Sequence, residues 1–226
     1  MKNSMESRTT AIERAIGVTT HGRYLVVQST RPSAPLLVGF HGYAESAETQ
    51  VARLQSIPGC DAWTAVSIQG LHRFYERRTD KVVASWMTRQ DREVAIADNV
   101  AYVAAIVEAE WTSTRATGGV VYAGFSQGVA MAFRTAVNSA RPVLGVVAAG
   151  GDVPPEIEPG ALNGIGPILL CRGTEDRWYT NEKFTQDQTR LREAGIRLTA
   201  LEFAGGHEWS AAVVDAARSF LQGRLR

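Results

Sequence analysis

Two cysteines in 226 residues are too few for a disulfide framework, and no Cys/His cluster has the spacing of a structural zinc site. No metal and no cofactor are expected. Cys171 lies in the apolar run Ile168–Cys171 and reads as a small buried hydrophobe, and Cys60 follows Pro58-Gly59 in a loop. No charge of one sign dominates. The 24 Lys+Arg against 23 Asp+Glu leave +1, which gives no electrostatic grip on nucleic acid or on an anionic membrane surface. Long hydrophobic runs are also missing: the longest, Val143–Ala149, is far too short to cross a bilayer, and Met1–Arg8 lacks the apolar core of a signal peptide. The expectation is a cytoplasmic protein without membrane insertion. There are no internal repeats and no low-complexity tract.

What is present is ordinary globular material, 45% hydrophobic and 21% charged, enough for one α/β domain over residues 1–226. Short apolar runs alternate with helical patterns. Strands are expected at Arg23–Gln28, Leu36–Phe40, Trp63–Ile68, Val120–Ala123, Val143–Ala149, Ile168–Cys171 and Arg197–Phe203. Helices are expected at Ala47–Gln55, Gln90–Trp111, Gln127–Asn138, Asn181–Ala194 and Trp209–Gln222, the second turning Val94, Asp98, Ala101, Ala105 and Val107 inward. Each parallel crossover needs a helix to return the chain, so the alternation predicts a mostly parallel sheet covered on both faces. Ala11–Val18 and Arg23–Gln28 flank Thr20-His21-Gly22, which suggests a leading antiparallel hairpin. Gln69–Arg89 shows no periodicity and reads as an excursion from the sheet. Gly150–Pro167 is rich in Pro and Gly and too poor in apolar periodicity to form a helical lid, so an open site is expected.

Gly124-Phe125-Ser126-Gln127-Gly128 fits the pattern G-x-S-x-G. Such a short pattern arises by chance, so its position decides. It begins as the run Val120–Ala123 ends and leads at once into the helical positions Val129, Ala130, Phe133 and Val137, the strand–turn–helix context that exposes a serine above a helix N-terminus. The bland alternative is a tight turn with Ser126 as an N-cap. A serine hydroxyl needs a base, and the base an orienting acid. His207, in Ala204-Gly205-Gly206-His207-Glu208-Trp209, sits between the last strand and last helix. Asp176 follows the neighbouring strand in Arg172-Gly173-Thr174-Glu175-Asp176. The order Ser126, Asp176, His207 is that of a hydrolytic triad, with Glu175 and Asp152 as rival acids. His21 and His72 read as solvated surface.

Acyl chemistry also needs two donors for an oxyanion. The backbone N–H of Gln127 is one candidate, and that of Tyr43, in Phe40-His41-Gly42-Tyr43, is the other; His41-Gly42 could equally just end a strand. From Leu71 to Arg92 five arginines and one lysine face three acids. Arg73, Arg89, Phe74 and Trp86 from this stretch, with Trp178 beside Asp176, are read as walls of a substrate site, where an arginine could fork onto a carboxylate; the alternative is solvated ion pairs and ordinary core.

Gly39-Phe40-His41-Gly42, Gly124-Phe125-Ser126-Gln127-Gly128, Gly173-Thr174-Glu175-Asp176 and Gly206-His207-Glu208 together resemble the phospholipase/carboxylesterase group of the α/β-hydrolase superfamily, which includes the acyl-protein thioesterases. The resemblance implies metal-independent hydrolysis of small-molecule carboxylic esters or thioesters with Ser126, Asp176 and His207 as triad and the Tyr43 and Gln127 amides as oxyanion hole. Tyr43-Ala44-Glu45 departs from the small-residue Gly-Asp pattern of the thioesterases, and the basic stretch is foreign to the group. A lactone opener of the dienelactone-hydrolase kind and a non-catalytic ligand receptor of the same fold remain as alternatives, and a homodimer is left open.

Overall fold

The computed structural model describes residues 11–225; the opening Met1–Arg8 lies outside them. Its centre is a seven-stranded sheet of β1 (Arg23–Val27), β2 (Leu36–Phe40), β3 (Thr64–Gln69), β6 (Val120–Phe125), β7 (Val143–Ala149), β8 (Ile168–Gly173) and β9 (Leu198–Phe203), in the spatial order β1-β3-β2-β6-β7-β8-β9. Only β1 is antiparallel, on β3; the other five pairings are parallel. β2, β3, β6 and β8 are buried at every position, as strands covered on both faces must be. One face packs Leu36, Val38 and Phe40 of β2 under α2 (Arg92–Ser113), α3 (Gln127–Val137) and α5 (Asn181–Glu193). The other packs Leu37, Val121 and Val147 under α1 (Ala47–Gln55) and α6 (Ala211–Gln222). This is the expected α/β-hydrolase arrangement. Gly150–Pro167, the usual place for a lid, holds only the single turn α4 (Pro159–Leu162).

Three expectations change. Ala11–Val18 forms no strand: the segment is exposed throughout, with Ile12, Ile16 and Val18 in solvent. The antiparallel partner of β1 is β3, which offers Ala65–Gln69 already braced by β2 on its far side. Gln69–Arg89 is not irregular either. It contains the hairpin β4 (His72–Tyr75) and β5 (Val82–Ser85), which escaped notice because the strands are four residues long and β4 is mostly exposed among charged residues. Its turn is built by Glu76, whose carboxylate accepts from the Arg78 N–H and the Thr79 hydroxyl. Finally, α2 is rotated relative to the predicted stripe. Ala95, Asn99, Val103, Ile106 and Val107 face inward, while Val94, Asp98, Ala101 and Ala105 are exposed. Alanines surround this helix, so apolar spacing alone does not fix its phase; the bulkier Val103 and Ile106 and the bonds of Asn99 do.

Asn99 is fully buried. Its Nδ2 donates to the carbonyls of Trp86 and Ala95, both at 2.8 Å, and its Oδ1 accepts from Leu71 N at 3.4 Å. One side chain therefore ties both ends of the hairpin excursion to α2. Removing it strands buried polar groups, each worth about 1–3 kcal/mol. Asn99→Ala is expected to lower unfolding free energy by at least about 2 kcal/mol in urea titration; a loss below about 0.5 kcal/mol, the scale of a neutral surface change, would contradict this.

Candidate active site

The motif glycines are required by backbone contact. A Cβ on Gly128 would lie 2.2 Å from the Phe40 carbonyl oxygen, and one on Gly124 would lie 2.5 Å from that of Gly128. The first turn of α3 thus rests on the end of β2, and the turn between β6 and α3 has no room to relax. Ser126 sits at its apex with φ 52° and ψ −121°, a conformation that opposes a side chain and stores about 1–3 kcal/mol.

Two neighbouring strands carry the other members. β8 and β9 pair in parallel, and backbone bonds extend that pairing into the loops beyond, from Thr174 N to Phe203 O and Glu175 N to Gly205 O. Asp176 and His207 are thereby set face to face. His207 Nδ1 lies 2.7 Å from Asp176 Oδ2, and His207 Nε2 lies 2.8 Å from Ser126 Oγ. Asp176 is 4% exposed, and its Oδ1 accepts from the Trp178 and Tyr179 N–H groups at 2.8 and 3.0 Å. Glu175 and Asp152, the rival acids, are both exposed.

The loop after β2 is fastened from three sides. The Glu45 carboxylate accepts from Gly42 N at 2.7 Å and forks onto Arg53 at 2.5 and 2.6 Å, while Arg53 stacks 4.1 Å above the Phe125 ring. Ala44 N donates to Ala84 O and Ala84 N to Glu45 O, which joins the loop to β5. His41 is fully buried: it accepts from Gly70 N through Nε2 at 3.0 Å, so Nδ1 carries the proton and donates to Gly42 O. Burial holds its pKa below the usual histidine value, and the ring stays a neutral spacer stacked on Trp86. The N–H groups of Tyr43 and Gln127 have no acceptor among the described residues. The Gln127 side chain bridges the other way, donating to Met87 O and accepting from Trp86 N, both at 3.1 Å.

The expected wall residues scatter. Trp86 is wholly buried and donates Nε1 to His41 O; it supports the loop after β2 and has no surface to offer a ligand. Phe74 is half-buried against Tyr43, 5.7 Å between rings. Arg73 reaches back to His21 O, and Arg89 is exposed and outside the cavity beside Ser126. Trp178 does line that cavity, which measures about 290 Å³ and whose other walls include Met87, Arg92, Arg134, Asp152 and Lys183. Those residues come from four separate stretches of chain; Met87 and Arg92 belong to the basic stretch Leu71–Arg92, and nothing in the local sequence of Arg134 and Lys183 marks them. Cys60 and Cys171 are buried away from the site, with thiol pKa values pushed up to about 11 and about 12 by burial.

The phospholipase/carboxylesterase family model matches residues 21–225. The chain belongs to this family. As one of its members it is a hydrolase of the carboxylesterase type. Solved structures of similar fold include a carboxylesterase from Mesorhizobium loti (17% identical, TM-score 0.74, covering 89% of this chain and 95% of that one). Bacillus cereus carboxylesterase (14%, 0.72, 90% and 94%) and Zea mays acyl-protein thioesterase 2 (18%, 0.71, 91% and 100%) are similar too. At these identities the likeness is one of fold. No curated protein matches the chain by sequence. No helix among the described residues is long and apolar enough to cross a membrane.

Two measurements follow from this geometry. Because Ser126 holds a backbone conformation that glycine adopts freely, Ser126→Gly is expected to be more stable than Ser126→Ala by about 1 kcal/mol in chemical denaturation, both having lost the same hydroxyl. Equal stability would mean that the turn is unstrained. Behind Tyr179, whose hydroxyl donates to Asp187 Oδ2 at 2.9 Å, burial lifts the Asp187 pKa from 3.8 to about 6. A raised acid favours the folded state fully below pH 4 and loses that contribution as pH climbs through 6. Asp187→Asn should therefore gain stability relative to the wild type, on the order of 2 kcal/mol between pH 4 and 7. A difference independent of pH would remove Asp187 as the cause.

Proposed function

We propose that this single α/β domain cleaves small-molecule carboxylic esters, thioesters included, through an acyl-enzyme on Ser126. The observation that carries the reading is the unbroken chain Ser126 Oγ, His207 and Asp176, at 2.8 and 2.7 Å, at the carboxyl edge of the sheet. His207 Nε2 takes the Ser126 proton as Oγ attacks the carbonyl carbon, and Asp176 holds the imidazole in register and offsets the positive charge it acquires. The carbonyl oxygen becomes an oxyanion facing the Tyr43 and Gln127 N–H groups at the start of α3, whose dipole adds to their pull. His207 then protonates the leaving oxygen or sulfur. Water attacks the acyl-enzyme by the same route in reverse.

Support for the oxyanion role lies in where the two amides are held. Gln127 is pinned by its side chain to the segment Ser85–Met87, and Tyr43 is flanked by Gly42 on the Glu45 carboxylate and Ala44 on β5. Donors fixed in advance need no reorganisation during the reaction. A fluorophosphonate is expected to add one label, read by intact mass, that is absent from Ser126→Ala. Asp176→Asn should retain the fold and lose on the order of 10⁴ in kcat. A label that persists without Ser126, or a larger loss in Asp152→Asn than in Asp176→Asn, would overturn the assignment.

A further inference from the structure

The cavity beside Ser126 is electrostatically one-sided. Three cations line it, Arg92, Arg134 and Lys183, against the single acid Asp152. Arg134 is 4% exposed and is paired, through Nε at 2.8 Å and Nη2 at 2.5 Å, with Glu156; its Nη1 meets only the Met87 sulfur at 3.5 Å. Asp152 acts on the Arg134 charge as well. Three cations against Asp152 and Glu156 leave one positive charge. Neither Arg92 nor Lys183 forms an ion pair among the described residues, and Lys183 Nζ donates only to the Trp178 carbonyl.

A second, independent feature has the same sign. Arg92 is the first residue of α2, Gln127 the first of α3 and Lys183 the third of α5, so three helices of 22, 11 and 13 residues begin at this cavity. None of the N-caps Asp91, Ser126 and Thr180 makes a side-chain capping bond. Each uncapped start presents free N–H groups and about half a positive charge. One of the three serves the oxyanion; at the other two, Glu93 and Glu182 offset part of the dipole charge. Asp91, Glu93 and Glu182 sit on those first turns but do not line the cavity.

The side of the ester that enters here follows from the direction of proton transfer. His207 must protonate the leaving atom, so the leaving group lies on its flank, where a separate open groove is lined by Phe125, His207, Glu208 and Trp209. The cavity contains Ser126 and Gln127 but not His207, which is the placement an acyl portion requires. Resting on the esterase reading above, we propose that the protein prefers acyl groups ending in a second, ionised carboxylate, which Arg92 and Lys183 hold at the far side of the Ser126 cavity.

The test compares 4-nitrophenyl half-esters of succinic, glutaric and adipic acids with 4-nitrophenyl butyrate, pentanoate and hexanoate near pH 7.5, where a free carboxyl is ionised. Rates with Ser126→Ala are subtracted to remove intramolecular hydrolysis. The readout is the ratio of kcat/KM for each acidic ester to its neutral partner, so a general loss of activity in a variant cancels. At about 20 mM salt at least one ratio should exceed about ten, and it should shrink at about 0.5 M salt, where the Debye length falls to a few ångströms. In Arg92→Ala/Lys183→Ala it should approach one, and Lys183→Glu should push it below one. Neutral esters hydrolysed with every acidic partner slower would overturn the proposal and leave the esterase intact. A wild-type protein that hydrolyses neither series and takes no fluorophosphonate label would overturn both.

Discussion

The first turn of α3 lies on the last carbonyls of β2 with no side chain between them, and the candidate site is organised around that contact. It is possible only because Gly128 has no Cβ, which would otherwise stand 2.2 Å from the Phe40 oxygen. With the two backbones so close, the turn between β6 and α3 has no room to relax, and Ser126 is held at φ 52° and ψ −121°. Parallel pairing supplies the rest: β8 and β9 end at the same level, so Asp176 and His207 arrive beside each other without a long loop to order. The sheet therefore pre-aligns groups that lie 81 residues apart in the chain.

Around this contact the polar groups are used twice. Glu45 caps the Gly42 amide and neutralises Arg53, and Arg53 in turn covers Phe125, whose ring lies 5.0 Å from that of His207. His41 fills the space under the loop after β2 as a neutral ring, accepting one backbone bond and donating another. Such sharing means that few of these groups are buried without a partner; among the described residues the unsatisfied side-chain atoms are Nε1 of Trp63 and Trp209 and Oγ1 of Thr135. Satisfied networks of this kind rigidify a site, because moving any one member exposes the desolvation penalty of its neighbours.

The parts of the structure that the sequence reveals are those governed by local rules. The α1 boundaries Ala47–Gln55 and the strand β7 follow from periodicity and apolar run length, and the Gly-x-Ser-x-Gly turn follows from sterics. What stayed hidden depends on partners distant in sequence. Whether Arg23–Val27 pairs with Ala11–Val18 or with β3 is decided by which neighbour is already braced, and alternation within the strand does not carry that information. The phase of α2 is set by Asn99 reaching Trp86 and Leu71, contacts invisible in a helix whose faces are both rich in alanine. Trp86 reads as a wall of a substrate site, with ordinary core as the alternative, and is the buried inner support of the loop after β2. The cavity was legible in part, at Trp178 and at Met87 and Arg92 in the basic stretch Leu71–Arg92; Arg134 and Lys183 are single basic residues in two other helices, and only tertiary packing brings them beside Arg92.

Gln127 continues the turn that carries Ser126 through its main chain and reaches Ser85, Trp86 and Met87 with its side chain. A hairpin is ordinarily a segment that evolution can lengthen, shorten or exchange with little consequence for the scaffold beneath it. Here the tip at Glu76–Lys81 retains that freedom, being separated from the clamp by the whole of β5. The base does not. A displacement at Ser85–Met87 is passed through one amide side chain to the residue that follows Ser126, so variation in this family member is partitioned within a single hairpin: a permissive end facing solvent and a constrained end that behaves as an extension of the elbow itself.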